Sequence, residues 1–297
     1  MTRPDDPLHS PLQRAGEARV DPQVLVERFA DAAARVVVMD TTTAYRIEPA
    51  AGVHDPLRHV YLGWSNPAHA PADDPGRHDW FALREHVEGP GLREAPLTTD
   101  PLMRDLLTTA AAVLAWHDTR PRCERCHGES VPARGGFIRA CLDCGAWLFP
   151  RQDPAIIIAI LDPEDRLLLA HQASWPPNRV SIIAGFVEAG ESLEQAASRE
   201  VGEEVGLHLT SARYVSSQPW PFPRSLMLGM VGTADGDPIP DGVEIAWARW
   251  FSRHEFLAAV ESGEISGPSG RSVASTLIQA WLAGDLPRHR DLVPTTS

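Results

Sequence analysis

The apolar positions of this chain change their period from the amino end onward, and those changes predict its elements. Residues 1–20 are polar and proline-bearing and read as a mobile lead-in. Arg35–Met39 (RVVVM) and His59–Gly63 (HVYLG) are short apolar runs of strand type. Stretches 66–77 and 89–101, rich in Pro, Gly and Asp, read as loops. Over 102–117, Leu102, Leu106, Ala110, Val113 and Leu114 recur at helical spacing and predict a packing helix. From Asp153 the pattern becomes α/β: Ala155–Ile160 (AIIIAI), Leu167–Ala170 and Val180–Ile183 read as buried strands, with a turn at 163–166. Trp247–Phe251 reads as one more strand and 272–283 as a closing helix. Strands enclosing helices predict an α/β sandwich of mixed sheet.

Length and charge narrow the picture. A chain of 297 residues has room for two domains, or two with a small module. Its 43% apolar and 23% charged residues are those of an ordinary globular protein. The net charge of −13 argues against a broad, non-specific nucleic-acid binder, which needs excess Lys and Arg to displace counterions. It leaves open a small anionic ligand whose charge is met by metal ions. The amino end lacks a basic-then-apolar signal pattern, and no apolar run approaches the ~20 residues of a membrane span. The expectation is a cytoplasmic protein without a membrane partner.

The cysteines are Cys123, Cys126, Cys141 and Cys144, in the form C-x2-C, fourteen residues, C-x2-C. This is the spacing of a tetrahedral thiolate site for structural zinc. Two disulfides are the alternative, but a cytoplasmic chain keeps its thiols reduced. Four sulfur ligands leave no open position, so such a zinc holds structure and does no chemistry. Residues 119–151 carry six Arg against three acids, a local basic balance compatible with nucleic acid but small once the thiolates are counted.

The stretch that carries chemistry is residues 185–207, GFVEAGESLEQAASREVGEEVGL. Gly185 and Gly190 suit a tight loop, and Ser192 with Gln195 fits a capping box that starts a helix. On that helix Glu200, Glu203 and Glu204 fall at i, i+3 and i+4, which crowds like charges on one face. A hard, oxygen-seeking cation such as Mg²⁺ is the natural occupant between them. A solvated acidic face is the plain alternative. Arg199 can reach Glu203 one turn on and Glu191 across the loop, leaving Glu200 and Glu204 to hold metal.

With these residues in place, Gly185-x5-Glu191-x7-Arg199-Glu200-Val201-x-Glu203-Glu204-x-Gly206-Leu207 resembles the Nudix box without departure at any defined position. The resemblance implies hydrolysis of a nucleoside diphosphate linked to another moiety, assisted by Mg²⁺ or Mn²⁺. It makes Glu200, Glu203 and Glu204 metal ligands, Glu204 also the general base, and the Ala184 carbonyl a further ligand. Downstream, Ser217-Gln-Pro-Trp-Pro-Phe-Pro-Arg-Ser225 is held extended by its prolines and offers Trp220 and Phe222 for stacking. A proline-rich linker with buried aromatics is the alternative.

That segment resembles the signature of the NADH pyrophosphatase subgroup, as does a zinc ribbon placed just before the Nudix domain. The likeness covers about residues 100–280 well and the first third only by position and size. It implies three parts: an N-terminal Nudix-like α+β domain over 1–118, a zinc ribbon over 119–151 and a catalytic Nudix domain over 152–297. Gln218, Pro219, Trp220, Pro221, Phe222, Pro223, Arg224 and Ser225 would contact the dinucleotide, as would Ala274, and Glu244 would be a further metal ligand. Phe186 and Phe149 fall where an aromatic stands near the nicotinamide, with core packing equally open. An acidic residue that the subgroup carries between the cysteine pairs falls here on Gly135–Gly136, which has no carboxylate. The expected reaction splits NADH or NAD⁺ into AMP and nicotinamide mononucleotide, or removes NAD caps from RNA 5′ ends, in a homodimer. The rivals are another Nudix specificity such as ADP-ribose, or a non-catalytic nucleotide sensor that binds nucleic acid. Degraded box glutamates would mark that sensor, and here all are intact.

Overall fold

The computed structural model of the protein describes residues 10–65, 76–92, 100–267, 270 and 272–292. They fall into two compact units, residues 1–151 with 221–224 and residues 152–220 with 225–297. The loops expected at 66–77 and 89–101 lie mostly outside the described residues, as do residues 1–9 of the lead-in.

In the first unit the lead-in is structured from residue 10 on, with a short strand β1 (Leu12–Gln13) and a 3-10 turn at Ala18–Val20. Then come α1 (Pro22–Phe29), β2 (Arg35–Met39), β3 (Tyr45–Pro49), β4 (Val60–Ser65), β5 (Asp79–Arg84) and α2 (Pro101–Thr119). The strands form one sheet in the order β1-β4-β5-β2-β3, with β2 and β5 parallel and the other pairs antiparallel. The valines of β2 explain this layering. Val36 and Val38 pack with Leu25 and Phe29 of α1, while Val37 and Met39 pack with Leu106 and Ala110 of α2. A strand buried on both faces reads as a continuous apolar run. All five residues expected to form the packing face of α2 are buried.

The cysteine segment adds a small sheet in the order β6 (Ser130–Ala133), β7 (Ile138–Cys141) and β8 (Trp147–Leu148). Within this unit it is tied to α2 through His117. The imidazole Nε2–H donates to the Gly136 carbonyl at 2.7 Å, and Nδ1 accepts from the Arg139 guanidinium at 3.0 Å.

The second unit is an α/β/α sandwich on a mixed sheet. Its elements are β9 (Asp153–Leu161), β10 (Leu167–Gln172), β11 (Ile183–Phe186), α3 (Leu193–Val205), β12 (Leu209–Trp220), β13 (Ser225–Ala234), β14 (Ile245–Phe251), α4 (Arg253–Glu261), α5 (Val273–Ala283) and α6 (His289–Leu292). The sheet runs β12-β13-β9-β10-β14, and β11 pairs with β9. Along β9, Ile157, Ala159 and Leu161 face α4 and α5 with Phe256, Leu277 and Trp281. Ile156, Ile158 and Ile160 face α3 with Ala197, Val201 and Val205. The strand expected at 180–183 instead runs Ile183–Phe186, in register with Ile158–Ala155. Among the described residues no helix is long and apolar enough to cross a membrane.

Candidate active site

The box folds locally as its residue types require. Ser192 caps α3, its hydroxyl accepting the Gln195 N–H while the Gln195 side chain accepts the Ser192 N–H. Gly190 turns the chain with φ of 97°, and Gly206 ends the helix at φ of 65°. Gly185 does something other than the turn expected of it. It lies inside β11, and a Cβ there would fall 1.9 Å from the Glu200 carboxyl carbon. The residue is glycine because Glu200 occupies the space a side chain would need.

Arg199 is the organising cation. Its Nε and Nη2 donate to the two Glu191 oxygens at 2.7 and 3.0 Å, and Nη2 also donates to the Phe186 carbonyl at 2.8 Å. Nη1 donates to Glu200 at 2.9 Å and to Glu203 at 3.1 Å. The loop is thus tied to the helix as expected, but Glu200 is engaged by Arg199 too. Glu204 is different: it is 7% exposed and has no ion-pair partner among the described residues. Desolvation, together with the charges of Glu200, Glu244, Asp241 and Glu203, pushes its carboxyl up to about 8. Glu244 reaches this electrostatic neighbourhood from the loop between β13 and β14, and Ala184 is an exposed residue of β11 beside Gly185. An all-oxygen set of glutamates with one buried, uncompensated member fits a hard divalent cation.

The expected substrate segment is the end of a long hairpin rather than a separate proline-locked loop. Pro219 and Trp220 are the last residues of β12, opposite Leu226 and Ser225 of β13, and Pro221–Arg224 form the turn. Trp220 and Phe222 are half-buried and Ser225 is buried, so neither ring is fully bare. The Gln218 carboxamide oxygen accepts the Val273 N–H at 2.8 Å, the first residue of α5, next to Ala274. The Ala274 methyl packs in the core. Core packing is excluded for the two open aromatics: Phe149 is 64% exposed and Phe186 is 55% exposed. Phe149 and residues 221–224 belong to the first unit, whereas Phe186, Gln218 and Ala274 belong to the second.

The four cysteines are all unbridged. Cys123 Sγ lies 3.8 Å from Cys144 Sγ and Cys126 Sγ 3.5 Å from Cys141 Sγ, far beyond the ~2.05 Å of a disulfide. Their ligand atoms gather within 4.8 Å of one another, as a tetrahedral ion requires. The Arg125 N–H donates to Cys123 Sγ at 3.4 Å, which shapes the first knuckle. Among the described residues no other group of His, Cys, Asp or Glu is gathered so closely, the box glutamates included.

The NUDIX domain model matches residues 150–266, the stretch that contains α3 and its carboxylates. Over 229 residues the chain is 40% identical to the NAD-capped RNA hydrolase NudC of Mycobacterium bovis, covering 70% of this chain and 72% of that protein. The chain belongs to the Nudix family. This Nudix chain is also 36% identical over 190 residues to the human NAD-capped RNA hydrolase NUDT12, covering 60% of this chain and 41% of that protein. A NUDIX hydrolase from Nitrosomonas europaea superposes with a TM-score of 0.45 at 21% identity, over 57% of this chain and 95% of that one.

Sequence reasoning missed Asp241. Asp-Gly at 241–242 signals a turn, but the bond from the Asp241 N–H to the Glu204 carbonyl reaches a residue far upstream on α3.

Proposed function

We propose that this chain hydrolyses the pyrophosphate of NADH or NAD⁺ to AMP and nicotinamide mononucleotide, and removes NAD caps from RNA 5′ ends. The observation that carries the reading is the 229-residue similarity to relatives named for NAD-cap hydrolysis. The buried Glu204 supports the chemistry. Glu200, Glu203, Glu204, Glu244 and the Ala184 carbonyl are the groups that would hold Mg²⁺ or Mn²⁺. When bound, those ions neutralise phosphate charge and make water a better nucleophile.

The chain's own part follows from its electrostatics. Burial raises the proton affinity of Glu204, and a cation bound beside it would keep it ionised, so it is the group suited to take the proton of the attacking water. Arg199 keeps Glu200 and Glu203 beside it while binding the loop through Glu191. Gln218 to Ser225, Ala274, and the exposed rings of Phe186 and Phe149 are the proposed contacts of the dinucleotide.

The cysteine cluster is proposed to hold structural zinc. The three-part division at 118/119 and 151/152 is part of the proposal: β6-β7-β8 form a sheet separate from the first five strands, within the same compact unit. A homodimer in the cytoplasm completes the proposal, and sedimentation of the purified chain tests the dimer.

The deciding experiment is side-by-side kinetics on NADH, NAD⁺, ADP-ribose and NAD-capped RNA with Mg²⁺ or Mn²⁺. Turnover of NADH or the capped RNA is expected to exceed that of ADP-ribose. Much faster cleavage of ADP-ribose would overturn the substrate, and no cleavage of any would favour a nucleotide sensor.

A further inference from the structure

The loop between β13 and β14 is wound around one side chain outside the box. The Asp241 carboxylate accepts three consecutive backbone N–H groups, those of Val243 at 3.2 Å, Glu244 at 3.1 Å and Ile245 at 2.8 Å. Gly242, at φ of 72°, donates its N–H to the Ile245 carbonyl and closes the same turn. The loop is also fastened to α3. The Asp241 N–H donates to the Glu204 carbonyl at 3.0 Å, and the Ile239 N–H to the Val205 carbonyl at 2.8 Å. Both carbonyls belong to the last turn of α3, whose acceptors have no partner within the helix. Beyond the turn, the Glu244 carbonyl accepts the Ala173 N–H at 3.1 Å, which fixes the far side of the loop to the end of β10.

We propose that Asp241 is a positioning residue that sets Glu244 against Glu204, so that carboxylates from the loop and from α3 serve one divalent cation. The backbone joins Asp241 to the very residue whose carboxylate is buried, and the Asp241 side chain joins it to Glu244. An aspartate is explained by its short reach to three N–H groups, which a carboxylate accepts more strongly than a neutral side chain does.

The proposal rests on the pyrophosphatase reading of the site, and its test separates the two. Mn²⁺ binding to the whole chain is measured by electron paramagnetic resonance and calorimetry, beside steady-state kinetics on NADH and thermal melting. Glu204→Gln and Glu244→Gln are the reference variants. If both bind Mn²⁺ as the native chain does, the site reading itself is overturned.

With those references weakened, Asp241→Ala is expected to bind Mn²⁺ roughly tenfold more weakly. Its kcat at low metal falls with that affinity, and KM for NADH at saturating metal is little changed. Adding Asp241→Ala to Glu244→Gln is expected to cost nothing further, because the two act through one carboxylate. Asp241→Asn, which keeps the Oδ1 acceptor of Val243 and Ile245, is expected to recover most of the affinity. Native Mn²⁺ affinity in Asp241→Ala, full additivity with Glu244→Gln, or an asparagine variant as weak as the alanine one would each overturn the positioning role.

Discussion

Glu204 shows how one carboxyl is set apart from the others of the box. Arg199 serves Glu191, Glu200 and Glu203, and burial leaves Glu204 as the carboxyl that resists ionisation. Glu204→Gln keeps its size and removes its proton-accepting ability. The expected result is a fall in kcat on NADH of about 10²–10⁴-fold with an unchanged or higher Tm, read by kinetics and calorimetry. A second prediction belongs to Gly185. The space for a Cβ is filled by the end of a flexible glutamate, so Gly185→Ala should displace Glu200 rather than the backbone. Mn²⁺ affinity is expected to drop about tenfold while Tm moves little, as titration and melting would show. A large loss of Tm would mean that the strand, not the carboxylate, had moved. The sequence marks Gly185 as important but suggests a turn. Only the packing of β11 against α3 shows that the position is reserved for Glu200.

At the scale of elements, legibility followed locality and burial. The loop and helix of the box are contiguous in sequence, so capping, the arginine tie and the carboxylate spacing could all be read directly. β9 and α2 were readable because each buries a regular pattern of large apolar residues. The β12–β13 hairpin was not. Much of β12 is partly exposed, without an alternating apolar face, and Pro219, Pro221 and Pro223 suggest a linker. Asp241 was hidden for a different reason, since its bond to α3 spans a hairpin.

The tie between α2 and the cysteine segment makes a third prediction. Burial, aided by the nearby Arg139 guanidinium and opposed by the Gly136 carbonyl and Asp118, pushes His117 down to about 4. The folded chain thus keeps it neutral where the unfolded chain, with a histidine near 6.5, takes up a proton. Stability falls as pH drops from about 6.5 towards 4, by roughly 2–3 kcal/mol from this residue. Denaturant melts at pH 7 and pH 4.5 should show that loss in the native chain. His117→Gln, which can still donate to Gly136 and accept from Arg139, should show a smaller one.

Across the whole molecule two kinds of cation site follow opposite rules. The cysteine cluster would close four soft sulfur ligands around its proposed zinc, while the α3 carboxylates would offer hard oxygens to the proposed catalytic cation. Losing one ion should therefore harm the fold and losing the other should harm the chemistry. The native chain, purified without added metal, is expected to hold one zinc by elemental analysis. Cys123→Ser should hold none and melt at a lower temperature, because a closed thiolate site contributes its binding energy to folding. Below that temperature its kcat on NADH at saturating Mn²⁺ should stay within about threefold of native, since a four-sulfur site has no position for substrate. Mn²⁺ should act the other way. At about a hundred times its dissociation constant it is expected to stabilise the native chain by ~2.7 kcal/mol, and Glu204→Gln by much less. Absence of zinc from the native chain would end the ribbon assignment. Equal stabilisation of native and Glu204→Gln chains by Mn²⁺ would place the catalytic ion elsewhere.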